Sequence, residues 1–490
     1  MARRSRQPRL PELERRTVDG VPLLFIETDG PTVAGLVFRV GQADETIPIR
    51  GITHLVEHLA LHSIGSVHYQ HNGTVDLTEA TFMARGEPDE VGDFMGTVCR
   101  TLASLPVDRI GLEAQILRTE AAGRSINPPA LMTYLRHGFT AYGLPWLPEF
   151  FLNDPRPGPT LEWASCRFNR GNCALWVAGQ MPPNLTLPLP EGNRYPLPEA
   201  RQIGGLALPA SIQWGKDTVA VDYISPRTPE STALVRIILK RFHDQIRQAR
   251  GLTYLAAGYR ESLSTMQAEN VLWLSCLESQ SAQVRAEALA ILESMASNGP
   301  TQQELDEDLA GFVRNASDPA ARVGQVVGAA SYEITGMPPH TLAQFIEEQE
   351  AITPASCAAE LAQALTTGIL AAPALAGGPP QGMAGYPISC APITGMTHRP
   401  QRSRPWERTE VLIAGPEGIS RVSRDGAQAV TVRWAECVGW VQDPNGTWHL
   451  LGADGFAVDV RPTDWSKSAA LMRVIGDHVA RELIVAGPPA

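Results

Sequence analysis

A chain of 490 residues exceeds what one ordinary core holds, so two or three domains are expected. With 43% hydrophobic and 19% charged residues the composition excludes a disordered chain, and a net charge of −11 argues against a nucleic-acid partner. The basic opening MARRSRQPRLPELERR leads into no apolar segment of a secretory signal, and no stretch is long and apolar enough to span a bilayer. The expectation is therefore a cytoplasmic protein with no membrane partner. Its seven widely spread cysteines form no CxxC pair and read as reduced thiols.

In chain order, Val21–Ile26 and Val33–Phe38 are apolar runs separated by Asp29-Gly30-Pro31, which predicts a strand pair within 18–40. A helix is predicted around 52–62 and strand-like residues over 73–85. Helices follow at about 88–104, 108–123 and 129–142. Residues 183–210 are rich in proline and glycine and read as a linker, closing a first unit at 15–182. The element order then repeats over 211–370. A strand at Thr218–Ile224 precedes a helix at about 229–249, strands near 252–260 and 269–277, and helices near 281–297 and 302–316. This predicts a duplicated α/β unit, visible in order rather than identity. A second loose stretch, 371–408, reads as another linker. Beyond it, over 409–490, short strands recur at Glu410–Ala414, Val430–Trp434, Val438–Gln442, Trp448–Gly452 and Ala457–Arg461. One helix at about 465–484 closes this small β-rich domain.

The chemistry centres on His54-Leu55-Val56-Glu57-His58. On a helix, positions four apart share a face, so the two imidazoles point at a common locus. Neutral imidazoles are good ligands of zinc, which lowers the pKa of a water it holds to roughly 7. A carboxylate at Glu57, on nearly the same face, can take a proton there. The order HxxEH is the inverzincin signature. A catalytic zinc needs a third protein ligand. Glu113 and Glu120 lie seven residues apart, two turns along one helical face, so that one can bind metal while the other orients a neighbour. His62 continues the i, i+4 row and is a rival ligand, but each step of four climbs roughly 6 Å along the axis. His68, His71 and His137 are expected on loops or the surface.

These residues, taken in order, resemble the pitrilysin/insulinase family of zinc peptidases over about 15–400. The resemblance rests on Gly51-Ile52-Thr53-His54-Leu55-Val56-Glu57-His58-Leu59, on Asn72-Gly73-Thr74 followed by Glu79-Ala80-Thr81-Phe82, on the Glu113/Glu120 pair, and on Arg247-Gln248-Ala249-Arg250-Gly251-Leu252-Thr253-Tyr254. Asn127-Pro128-Pro129 and Tyr142-Gly143-Leu144-Pro145 are similar to further short family segments. It implies an α+β fold of two homologous half-units, each an antiparallel-rich sheet with helices on one side, forming a chamber. It further implies one zinc per chain on His54, His58 and Glu120, with Glu113 supporting the ligands and Glu57 as general base. Tyr254 would meet the scissile carbonyl or its oxyanion, and Arg247 would hold substrate, both from across the chamber. An extended peptide would add to an edge strand at Asn72, Gly73 and Thr74, and family members of this size often pair as homodimers or heterodimers. The interval from His58 to Glu120 is shorter than the family's, with the deficit around Ser63–His71. The 409–490 region lies outside the family core and is similar to a pleckstrin-homology-like fold, an analogy that carries no function.

The reading is thus a zinc endopeptidase acting on peptides or unfolded segments, with precursor processing as one such role. Its alternatives are a non-catalytic or substrate-presenting subunit of a two-component peptidase, and a zinc-stabilised binding module.

Overall fold

The computed structural model describes residues 13–123, 127–316, 318–337, 341–373, 378–401 and 409–488. Residues 1–12 of the basic opening, and 374–377 and 402–408 of the second expected linker, lie outside them.

The first unit is a mixed six-stranded sheet of β1 (Glu14–Val18), β2 (Val21–Ile26), β3 (Thr32–Phe38), β4 (Gln70–Val75), β5 (Ala80–Gly86) and β6 (Cys173–Ala178), in the order β1-β2-β6-β3-β5-β4. The two apolar runs predicted as a pair do not pair with each other. β6 returns from the end of the unit and inserts between them, parallel to β2 and antiparallel to β3. Both runs are buried along nearly their whole length, as strands sandwiched on two faces must be. On one face lie α1 (Ile52–His62), α2 (Pro88–Ala103), α3 (Ile110–Ala122) and α5 (Pro157–Arg167), which enclose a core including Phe38, Leu55, Leu59, Phe82, Phe94 and Leu117. α4 (Pro128–His137) stops short of the predicted 142, because Gly138 at φ 66° ends it, and turns of 3₁₀ helix follow at Ala141–Trp146 and Phe150–Asn153.

The second unit has β7 (Ala210–Gln213), β8 (Thr218–Pro226), β9 (Ala256–Ser262), β10 (Gln267–Ser275), β11 (Ile369–Ala372) and β12 (Ala384–Gly385), in the order β12-β7-β11-β8-β10-β9. Five strands of each sheet therefore follow one scheme: β2-β6-β3-β5-β4 in the first, β7-β11-β8-β10-β9 in the second. The helices are α6 (Pro229–Arg241), continued by a π-helical stretch Phe242–Gln248, then α7 (Ser281–Asn298), α8 (Gln302–Ala316), α9 (Pro319–Thr335), α10 (Leu342–Glu350) and α11 (Pro354–Leu365).

The two units exchange helices. α9 of the second unit lays Val326, Ala329, Ala330 and Ile334 over Leu24, Ile26, Val37 and Trp176 on the first sheet's other face. Reciprocally, α4 of the first unit buries Leu131, Met132 and Leu135 against Ala220, Val271 and Ile369 of the second sheet. Each sheet is therefore covered on both faces, not on one, because each sheet's second face carries large apolar side chains that need cover. Where the units meet, the exchanged helices pack their apolar faces onto the sheets, and a cavity of about 640 Å³ lies between Val33, Asn72 and Met83 of the first sheet and Asp318 and Val323 of the second unit. The junction also buries charge. Arg136 donates to Asp222 Oδ2 (2.7 Å) and to the Thr367 carbonyl (2.8 Å), and lies 3.5 Å from Glu269 Oε1. His137 bonds the Arg201 carbonyl through Nδ1 (2.7 Å) and Glu269 Oε2 through Nε2 (3.1 Å). A carbonyl and a carboxylate both need donors, so His137 is an imidazolium whose pKa the Glu269 charge raises against its burial. It is not the surface histidine expected.

The third region comprises two four-stranded sheets. One is β13 (Met396–His398), β14 (Glu410–Gly415), β15 (Gly418–Ser423) and β16 (Ala429–Arg433). The other contains β17 (Cys437–Gln442), β18 (Trp448–Gly452), β19 (Ala457–Val460) and β20 (Ile484–Ala486), in the order β19-β18-β17-β20. They share a core of Leu412, Ile419, Val432, Trp440, Leu450 and Val458 with Leu471 and Ile475 of α12 (Ser468–His478). The final helix is shorter than expected and does not end the fold, since β20 follows it and pairs parallel with β17. The stretch read as a second linker is not loose throughout. β12 joins the second sheet, β13 joins the third region, and Ile393 N donates to Ser420.

Candidate metal centre

α1 begins at Gly51, held at φ 97°, and its first turn is capped from outside. Glu45 accepts from the Gly51 N–H (2.9 Å) and the Thr53 N–H (3.0 Å) while ion-pairing with Arg50 (2.8 Å). A carboxylate at a helix N-terminus satisfies otherwise orphaned donors and complements the helix dipole. The helix is buried along Ile52, Leu55, Val56 and Leu59 and turns His54, Glu57 and His58 toward one locus.

One ligand atom from each of these three lies within 4.8 Å of the others, the one such cluster among the described residues. Glu57 Oε2 is 4.0 Å from His54 Nε2 and 3.8 Å from His58 Nε2. The opposite ring nitrogens face carboxylates. His54 Nδ1 bonds Glu149 Oε1 at 3.0 Å, and His58 Nδ1 lies 3.5 Å from Glu113 Oε2. Carboxylates beside both Nδ1 atoms favour the Nδ1–H tautomer, which keeps the Nε2 lone pair for a metal, the arrangement seen behind metal-ligating histidines. Burial and the neighbouring His54 hold the His58 pKa below its usual value, favouring the neutral ring that coordinates. The donor set therefore fits a divalent metal such as zinc.

Both carboxylates of the predicted pair lie on α3 facing His58. Glu113 is buried on α3, ion-paired to Arg109 (3.0 Å), and 3.8 Å from His62 Nδ1. Glu120 Oε2 is 3.8 Å from His58 Nε2 but half-exposed at the helix end, outside the tight three-residue cluster. His62 is turned to Glu113, away from the cluster. Glu57 is nearly buried. Desolvation, opposed by His54 and reinforced by Glu120, pushes its carboxyl up to about 7.

β4, carrying Asn72, Gly73 and Thr74, is an edge strand of the first sheet and packs its Gly73 against Glu57. A Cβ at Gly73 would overlap Glu57 Oε1 and sit 2.7 Å from its Cδ, so glycine is required there for the carboxylate to keep its place.

Tyr254 and Arg247 belong to a different surface. Tyr254 is 83% exposed, with the Arg247 guanidinium 5.5 Å from its ring centroid. They lie together on the second unit. In the second unit the helix pair corresponding to α1 and α3 carries ion pairs instead of a donor cluster. Arg236 of α6 bonds Asp308 of α8 (2.9 Å), and Arg241 bonds Glu304 (2.7 Å).

Glu149 is the residue that sequence reasoning missed. It stands 95 positions from His54 in Leu147-Pro148-Glu149-Phe150, with no spacing to mark it.

No family model matches the sequence, and no curated protein matches it. Solved structures do match in fold. A protease from Helicobacter pylori aligns with a TM-score of 0.62 at 15% identity, covering 74% of this chain and 99% of its own. The first half of the periplasmic protease PqqL from Escherichia coli aligns at 0.57 and 12%, covering 74% and 92%. A peptidase M16 inactive domain from Pseudomonas fluorescens aligns at 0.55 and 15%, covering 75% and 100%. At such identities the likeness is one of fold: this chain has the two-unit α+β architecture of M16, pitrilysin-like, peptidase domains, followed by additional β-sheets.

Proposed function

We propose that the chain is a zinc-dependent endopeptidase. The single observation that carries this reading is the His54/Glu57/His58 cluster with carboxylates behind both imidazoles. His54 and His58 would hold zinc through Nε2, with Glu120, 3.8 Å from His58 Nε2, as the third ligand. Zinc bound there supplies Lewis acidity toward a water and a scissile carbonyl. Glu57, beside both imidazoles, accepts the proton of the attacking water and returns it to the leaving amine. An extended peptide adds to β4, its backbone bonding the open edge beside Gly73, which favours unfolded segments over folded proteins.

Tyr254 and Arg247 face solvent on the second unit, where they can serve a substrate held by a second chain, so the active form is a homodimer or a heterodimer with a related subunit. A chain that sediments as a monomer at concentrations where it cleaves would contradict this.

The fold also occurs in an inactive M16 domain, so a substrate-presenting subunit is the alternative. The intact donor set favours catalysis. Glu57→Gln decides between them: it is expected to retain zinc and lower cleavage by roughly 10²- to 10⁴-fold, the range of general acid–base contributions. Undiminished cleavage would refute the mechanism.

A further inference from the structure

His54 is set by Glu149, and Glu149 is set by the third region. Glu149 packs against the start of α1 so closely that a Cβ on Gly51 would lie 2.6 Å from its own Cβ. Its neighbour Phe150 is buried with Ile47, Phe139 and Leu144 against Val441, Leu451 and Val485, which belong to β17, β18 and β20. Asn153 donates to the Ala486 carbonyl (3.0 Å), and Tyr134 donates to the Gly455 carbonyl (3.0 Å). A Cβ on Gly138 would overlap the Ala453 carbonyl. The segment 138–153 is thus gripped at both ends by the third region.

The same surface backs the cap of α1. Ile47 approaches Gly439 so closely that a Cβ there would lie 2.7 Å from Ile47 Cγ2, and Ile47 lies two residues from Glu45, the cap of the first turn. Both devices that fix the first turn of α1, where His54 resides, therefore rest on β17, β18 and β20.

We propose that Glu149 is a positioning residue for His54, and that the third region is a buttress that holds Glu149 in register and so tunes the metal centre. This rests on the metal-centre reading above. A carboxylate behind a ligating imidazole raises its basicity and locks its orientation, and removing such a partner costs roughly 10- to 100-fold in metal affinity.

The test is zinc affinity of the full chain, by competition with a chromophoric chelator, alongside the visible spectrum of the cobalt(II)-loaded protein. Glu149→Gln is expected to weaken zinc by roughly 10- to 100-fold and to change the cobalt spectrum. Val441→Ala with Val485→Ala, distant from the donors, is expected to weaken zinc by a smaller factor with a spectral change in the same direction. Tyr134→Phe, which deletes only a hydroxyl, should do the same and guards against a pair that fails to fold. Combining the valine pair with Glu149→Gln should cost less than the sum of the two, since both act in part through the Glu149–His54 contact. Met472→Ala, on the exposed face of α12, should leave affinity and spectrum unchanged. Wild-type affinity in Glu149→Gln overturns the role of Glu149. Full additivity, or wild-type behaviour of both the valine pair and Tyr134→Phe, overturns the buttress. A wild-type chain that binds no zinc overturns the metal-centre reading itself, a separate outcome.

Discussion

At the scale of single residues, the centre depends on what is absent as much as on what is present. Gly73 leaves room for Glu57, so Gly73→Ala is expected to displace the carboxylate while sparing both histidines. A misplacement of about 1 Å can cost about 10²-fold in rate. Zinc titration and peptide cleavage on this variant should show retained metal and that loss, and wild-type cleavage would show that Glu57 tolerates a methyl beside it. The residues that meet around His58 were legible because helical spacing is local. His54 and His58 four apart, and Glu113 and Glu120 seven apart, define faces without any knowledge of the fold. Glu149 and the buried pair His137–Glu269 were not legible, because each joins residues separated by about a hundred positions or more and no local period connects them.

At the scale of elements, boundaries were legible wherever periodicity met a breaker. α1 matches its predicted limits, and α4 ends early at a glycine that single-sequence periodicity passed over. Pairing was less legible. β2 and β3 are adjacent in sequence but separated by β6, a choice made by burial of both faces and not by the intervening turn. In the third region, the β18 residue His449 shows how one element stores pH dependence. Its Nδ1 faces Asp459 (2.7 Å) and its Nε2 faces Asp443 (2.9 Å), and the Asp459 hydrogen bond leads in raising its pKa to about 9. A histidine whose folded pKa exceeds its unfolded value of about 6.5 stabilises fully below that value and loses the contribution as pH rises through about 9. The thermal midpoint of the wild type should exceed that of His449→Gln most at pH 6 and least above pH 9. A constant difference across that window would remove the cation from the account.

At the scale of the whole molecule, the two units are one body because each lends a helix to the other and because the junction buries paired charge. Arg136 faces Asp222 and Glu269 away from water, and desolvation leads the rise of Asp222 to about 7, against the pull of Arg136. Removing one partner of a buried ionic set strands the others, at about 3–5 kcal/mol. Arg136→Met is expected to destabilise the protein by that amount in urea unfolding at pH 7, whereas a loss under 1 kcal/mol would mean the carboxylates simply take up protons. The duplication was legible in element order, but the exchange of α4 and α9 was not. An apolar stripe on a helix does not say which of two similar sheets it will cover.

The central claim, a zinc peptidase site on α1 and α3, is tested most directly by chelator-sensitive cleavage. Purified protein loaded with one zinc per chain should cleave an unstructured peptide, lose that cleavage to a chelator, and regain it on adding zinc. Cleavage indifferent to the chelator, or a purified chain that holds no zinc, would contradict it.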